Sequence, residues 1–141
     1  CAVDVSKGVV HMWGCTVDVH RSKAAVAVRG SGSKLAASTS SMHSNSKRGG
    51  CGLSVTGGGC AVLERGCSAD GSTGHGWYIT DRGSCLTAYD SRASNNGSSN
   101  AYINYGATAH IERCTLDSSE GYGLEIYDGV TAVVNATSFR G

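Results

Sequence analysis

Gly74–Ala93, GHGWYITDRGSCLTAYDSRA, and Gly121–Phe139, GYGLEIYDGVTAVVNATSF, are two edited copies of one unit. Each opens on a Gly-X-Gly corner, runs through a short alternating strand, turns at Asp or Gly, alternates again and ends in small polar residues. Alternation with period two puts the apolar residues of a strand on one face and the residues between them on the other. Trp77 and Ile79 therefore point one way and Tyr78 the other. In the second copy Leu124 and Ile126 take the first face and Glu125 the second.

Outward from these copies the whole chain falls into register. The first apolar pair recurs as Val3/Val5, Val26/Val28, Leu53/Val55, Trp77/Ile79, Ala101/Ile103 and Leu124/Ile126, in steps of 23, 27, 24, 24 and 23 residues. A second pair follows as Val10/Met12, Leu35/Ala37, Ala61/Leu63, Leu86/Ala88, Ala109/Ile111 and Ala132/Val134. A third runs Cys15/Val17, Ser40/Met42, Cys67/Ala69, Ser91/Ala93, Cys114/Leu116 and Thr137/Phe139, with the Cys67 coil one residue out of step. Self-similarity at this period marks a solenoid, whose units bury an apolar face only by stacking on one another. Glycine-rich windows such as Gly49–Gly59, and apolar spacing of two instead of three and four, argue against helix. The expectation is an all-β parallel β-helix of about six coils, each 23–27 residues long. At about 4.8 Å per coil the rod would be roughly 29 Å long.

Stacked coils turn equivalent positions into columns, and the columns fit. Trp77 lies between Leu53 and Ala101, so a small neighbour accommodates the indole. The column Cys15, Ser40, Cys67, Ser91, Cys114 and Thr137 holds small, weakly polar side chains. It reads as an internal ladder at a tight bend, bonded to backbone or to itself, and not as a catalytic or metal set.

This repeat length, with the corners Gly74-His75-Gly76-Trp77-Tyr78-Ile79 and Gly121-Tyr122-Gly123-Leu124-Glu125-Ile126, resembles the right-handed parallel β-helix superfamily. That superfamily includes pectate lyases, polygalacturonases, alginate epimerases, phage tailspikes and repeat-bearing surface proteins. The resemblance covers the whole chain and implies a fold, not a chemistry. Gly74-His75-Gly76 also matches the Gly-His-Gly element of polygalacturonases. Inverting glycoside hydrolysis needs two carboxyl groups some 6.5–9.5 Å apart, however, and this coil offers only Asp81 at its corner beside Tyr78 and Thr80. Lyases and epimerases of the fold commonly use calcium held by several carboxylates. The aligned corner residues here are Asp81, Tyr105 and Asp128, which leaves the two acids two coils apart, near 10 Å.

Composition narrows the function further. Six per cent aromatic residues and 21 glycines among 141 residues leave bulk for only a narrow core. Lys+Arg 12 against Asp+Glu 11 argues against the concentrated basic face of a nucleic-acid binder. No run approaches the roughly 18 apolar residues of a membrane-spanning helix. Cys1 is compatible with a lipid-anchored terminus, but Cys1–Val5 already sits inside the repeat, and neither end carries a cap. The expectation is a single solenoid segment, residues 1–141, covered by flanking coils of a longer chain or by a larger protein assembly.

The outer face of the first strand is the candidate binding surface. Its outward residues run Asp4, Ala27, Ser54, Tyr78, Tyr102, Glu125, followed by Ser6, Arg29, Thr56, Thr80, Asn104, Tyr127. Tyr78 and Tyr102 fall on adjacent coils, flanked by Asn104, Tyr105, Glu125 and Tyr127, with Asp81 at the corner. Aromatic planes beside polar groups suit a polysaccharide or a protein partner, and stacked tyrosines also stabilise a parallel sheet by themselves. On the second strand, Thr108, His110 and Glu112 share a coil, four coils from His11 and Trp13; His20 and His43 read as loop residues. No cofactor and no metal is expected.

Cys60 and Cys85 occupy one outward slot on adjacent coils, spaced either for a bridge or for a thiol pair. A bridge points to an oxidising compartment, which favours an extracellular or cell-surface location. Asn96-Gly97-Ser98 and Asn135-Ala136-Thr137 fit the N-glycosylation pattern. The 27-residue step places extra residues in Ser38–Gly50, read as a projecting loop with Lys47 and Arg48. Together these residues suggest a non-catalytic scaffold with a binding face. The alternative is part of a polysaccharide lyase, hydrolase or epimerase.

Overall fold

Six coils wind about a common axis in the computed structural model, which describes residues 1–117 and 119–140. The placement of Gly141 in the last coil lies outside these residues. Every strand pairing is parallel and joins equivalent residues of successive coils, and there is no helix among the described residues. The first sheet stacks β1 (Val3–Val5), β4 (Ala24–Arg29), β7 (Cys51–Thr56), β9 (Trp77–Ile79), β12 (Ala101–Ile103) and β15 (Leu124–Ile126). The second stacks β2 (Val9–Trp13), β5 (Lys34–Ser38), β8 (Cys60–Glu64), β10 (Cys85–Tyr89), β13 (Thr108–Glu112) and β16 (Thr131–Asn135). The third is interrupted. β3 (Thr16–Val19) pairs with β6 (Ser41–Ser44), while β11 (Arg92–Ser94), β14 (Thr115–Asp117) and β17 (Ser138–Arg140) pair with one another. Between them Ser68 alone bridges Ser41 and Arg92.

The registers are those the columns require: Leu53 lies beside Trp77 and Trp77 beside Ala101. All three are fully buried, as are Val28, Val55, Ile79 and Ile103. Among the described residues the Trp77 N–H finds no acceptor, so filling this slot with an indole costs an unmade hydrogen bond. In the sixth coil the inward slots are covered from one side only, and Ile126, Val134 and Phe139 remain exposed.

The corner after each second-sheet strand turns on one residue of left-handed backbone: Gly14, Thr39, Asp90, Arg113 and Ala136. In the third coil Arg65 and Gly66 share this role, which is the extra residue that puts Cys67 out of step. Immediately after the corner, the hydroxyls of Ser40, Ser91 and Thr137 donate to the carbonyls of Ser38, Tyr89 and Asn135. The thiol of Cys114 donates in the same way to Glu112, and that of Cys67 to Glu64. Small hydrogen-bonding side chains thus satisfy carbonyls that the turn takes out of the ladder.

The Gly-X-Gly corner has a packing cause. A Cβ at Gly52 would sit 2.7 Å from the Met42 carbonyl and 2.8 Å from Ala69, and one at Gly76 would sit 2.6 Å from the Asn100 carbonyl. The second glycine therefore lets the first sheet close against the third.

Several expectations are corrected. Ser38–Gly50 does not project as one loop: Ser41–Ser44 forms β6, and Ser40, Ser44 and Ser46 are buried, leaving Thr39, Asn45 and the turn at Lys47–Gly49 exposed. His43 lies on β6, not in a loop, and its Nδ1 is bonded to the Asp70 carbonyl at 2.7 Å. Ala27, read as outward, is fully buried. Asn96 is buried too, and its amide nitrogen donates to the Ala69 carbonyl and to Asn100, so this acceptor motif is inaccessible in the folded chain. The reason is common to three of these cases. At the third corner, Ser44, Ser72 and Asn96 form an internal polar ladder, in which the Ser72 Oγ accepts from the Ser44 amide and the Asn96 Oδ1 from the Ser72 amide.

Candidate functional site

Each Gly-X-Gly corner, and the equivalent Ser98-Ser99-Asn100 of the fifth coil, pins its middle residue to the flank of the first sheet. The resulting column, Cys51, His75, Ser99 and Tyr122, borders the outward column Ser54, Tyr78, Tyr102 and Glu125. Beyond that stands Thr56, Thr80, Asn104 and Tyr127. Three adjacent columns thus gather side chains from Cys51 to Tyr127, successive members of each column lying one coil apart.

At the centre the rings of Tyr78 and Tyr102 stack with centroids 5.3 Å apart and planes within 8°. His75 packs across both, 4.7 Å from the Tyr102 ring and 5.6 Å from the Tyr78 ring. Tyr127 closes the other side of Tyr102 at 5.7 Å. The hydroxyl of Tyr102 accepts from the Asn104 amide at 2.8 Å, and Asn104 in turn accepts from the Tyr105 backbone N–H. These bonds hold the Tyr102 ring in place without an acidic partner.

Glu125 organises the last coil of the site. One carboxylate oxygen accepts from the Ser99 hydroxyl and the other from the Tyr127 hydroxyl. Ser99 itself accepts from the Tyr122 amide at 3.3 Å. Hydrogen bonds from Ser99 and then Tyr127 hold the Glu125 carboxyl below its usual range, so it is ionised at neutral pH. Burial holds the His75 imidazole below its ordinary value, opposed by the Ser99 backbone and the nearby Glu125. Burial raises the Tyr78 hydroxyl and the Cys51 thiol. The site at neutral pH is a neutral aromatic patch with one fixed negative charge.

Of the residues singled out in the sequence, Tyr78, Tyr102, Asn104, Glu125 and Tyr127 come together. Tyr105 and Asp81 stand at the adjoining corner, both with left-handed backbone, and Tyr105 is 63% exposed. The Asp81 carboxylate accepts from the Gly57 amide of the preceding coil at 2.9 Å and so caps a turn. His75 was not among the binding residues read from sequence. Its only sequence signal was the Gly-His-Gly motif, whose geometry puts the imidazole against the two tyrosines. Its Nδ1 is buried without a partner among the described residues.

A general acid and base pair does not assemble on these carboxyls. Glu125 is ionised and doubly bonded, Asp81 is tied to a turn, and Asp128 stands at a corner two coils from Asp81. Among the described residues no three His, Cys, Asp or Glu side chains gather in a metal-binding group.

Two further features lie on the second sheet and at the corner that follows it. Cys60 and Cys85 are joined as a disulfide, with Cα atoms 4.6 Å apart, and link the third coil to the fourth on the second sheet. At the following corner Arg113 pairs with Asp90 at 2.8 Å and with Glu112, and lies 5.9 Å from the Tyr89 ring. His110 lies 3.3 Å from Glu112. This is a compensated charge network on the solvent side of the solenoid.

No curated protein and no solved structure matches the chain. A family model does, that of the right handed beta helix region, over residues 8–140. The match spans nearly every coil, and the parallel pairing of equivalent residues from turn to turn is the architecture the family describes. With its registers, corners and columns in place, this chain belongs to the right handed beta helix family.

Proposed function

We propose that the chain is a non-catalytic β-helix scaffold that binds a polysaccharide along the outer face of its first sheet. The observation that carries this reading is the Tyr78–Tyr102 stack, fixed in place by His75, Asn104 and Tyr127. On the side of Tyr78 away from Tyr102 the column continues with Ser54 and Ala27, small residues that leave room for a ring to lie against the aromatic wall. A pyranose offers an apolar face to such a ring and a rim of hydroxyls to neighbours such as Asn104 and Glu125. A linear glycan running parallel to the axis would meet the same backbone every coil, about 4.8 Å apart.

The test is affinity electrophoresis of the protein through gels containing a panel of soluble neutral and acidic polysaccharides. At least one polymer should retard the parent protein, and Tyr78→Ala and Tyr102→Ala should each weaken that retardation roughly tenfold. Retardation unchanged in both variants would reject the tyrosine face as the site. The enzyme alternative is tested on the same panel: turnover abolished by Glu125→Gln or Asp81→Asn would replace the scaffold reading.

A further inference from the structure

The turn at Lys47–Gly49 and the end of the first coil enclose a cleft that the tyrosine site does not use. It has a volume of about 650 Å³ and is lined by His20, Arg21, Asn45, Ser46, Lys47 and Arg48. No acidic side chain lines it. Elsewhere on the surface three arginines are neutralised, Arg29 by Asp4, Arg92 by Asp70 and Arg113 by Asp90 and Glu112, while Arg65 and Arg82 stand singly, each without a second uncompensated cation in a cleft. Among the described residues Arg21, Lys47 and Arg48 have no such partner.

The backbone beneath them is fixed. The Gly49 amide donates to the Ser46 carbonyl at 3.1 Å, closing a turn around Lys47 and Arg48. The Ser46 carbonyl also accepts from the Thr73 hydroxyl at 2.6 Å, and the Asn45 amide donates to Val19 at 2.7 Å. The amides of Lys47 and Arg48 donate to no acceptor among the described residues. Three uncompensated cations, an imidazole and two spare amides thus converge on a turn that is anchored to both neighbouring coils.

We infer that this cleft binds a tetrahedral oxyanion, a phosphate or sulfate group, whose carrier rests on the polysaccharide reading of the tyrosine face: an ester on a compact saccharide. Guanidinium groups pair with such oxygens through two parallel hydrogen bonds, and backbone amides at a turn add further donors. The scale of the positive charge decides against a nucleic acid. A single strand presents one phosphate per ~3.4 Å and needs a continuous basic track, whereas the charge here is confined to three residues and the chain carries +1 overall.

Isothermal titration at low ionic strength tests this with inorganic phosphate, inorganic sulfate, a sulfated oligosaccharide, its unsulfated parent and a single-stranded oligonucleotide. The sulfated oligosaccharide should bind, its parent should not, and the inorganic ions should compete with it. Replacing Arg21, Lys47 and Arg48 together with Gln should weaken binding by roughly tenfold or more. Replacing Lys7 and Arg82, exposed cations outside the cleft, should leave it unchanged, and circular dichroism should confirm that both variants fold. Binding by inorganic ions alone would overturn the saccharide part of the claim. Equal weakening in the two variants, or tighter binding of the oligonucleotide, would overturn the site itself. Since the tyrosines lie outside the cleft, Tyr102→Ala separates failure here from failure of the tyrosine face.

Discussion

The outer face of the first sheet differs between its two halves. In the first three coils its central column reads Asp4, Ala27, Ser54, and its one prominent interaction is the Arg29–Asp4 ion pair at 2.8 Å. In the last three the same column reads Tyr78, Tyr102, Glu125, and aromatic rings and hydroxyls bond across coils. Backbone, register and inward residues are of one kind throughout. Inward slots are set by the need to fill a shared narrow core, while outward slots answer only to solvent and ligand, and there the two halves part.

If the halves share one core, the largest effect should come from a residue buried between them. Trp77→Ala should destabilise the fold by about 3–5 kcal/mol, seen as a lower midpoint in urea with one cooperative transition. Two separated transitions would show that the halves unfold independently. The next largest should come from the disulfide, which joins the third coil to the fourth and closes a separation of 25 residues. The double variant Cys60→Ser, Cys85→Ser should lose about 3 kcal/mol. Peptide mapping without reductant should recover the Cys60–Cys85 pair, and its absence would remove this link.

Smaller changes sharpen the contrast at the surface. Tyr102→Ala should cost about 1 kcal/mol in stability, since it loses the stacked partner and little buried area, whereas Ser54→Ala in the other half should be close to neutral. The smallest effect concerns pH. Burial depresses the His75 imidazole in the folded chain below its ordinary 6.5, so its contribution is fully present above that value. As pH falls, the unfolded chain takes up the proton first, and stability declines until the folded pKa is passed. His75 faces Tyr78, Tyr102 and, through space, Glu125, whose own lowered pKa acts only below about 4.5. Thermal melts should therefore drop modestly below pH 6.5 in the parent and not in His75→Gln.

The inward half of the structure was legible because a period of two allows only one arrangement of Trp77, Ile79 and their equivalents once they recur every coil. The bend ladder from Cys15 to Thr137 was legible for the same reason, although Cys15 at its end is exposed and not internal. What escaped was polar and buried. Ser44, Ser72 and Asn96 look like loop residues in a Ser- and Gly-rich stretch, and only the closed third corner turns them inward. That oversight carried with it the reading of Ser38–Gly50 as a projecting loop and of Asn96 as an open glycosylation acceptor. His75 escaped differently. Its motif was visible, but its approach to Tyr102 depends on a corner whose second glycine permits the sheets to close.

Site-resolved NMR gives the most direct test of the central claim, that the two halves share a scaffold and divide in function. Backbone amide shifts should be followed while titrating whichever polysaccharide fragment the protein retains. The changes should concentrate on Tyr78, Tyr102, Asn104 and Tyr127, with Asp4 and Ala27 unmoved. Changes centred on the first three coils, or spread evenly over all six, would contradict the assignment of binding to the tyrosine half.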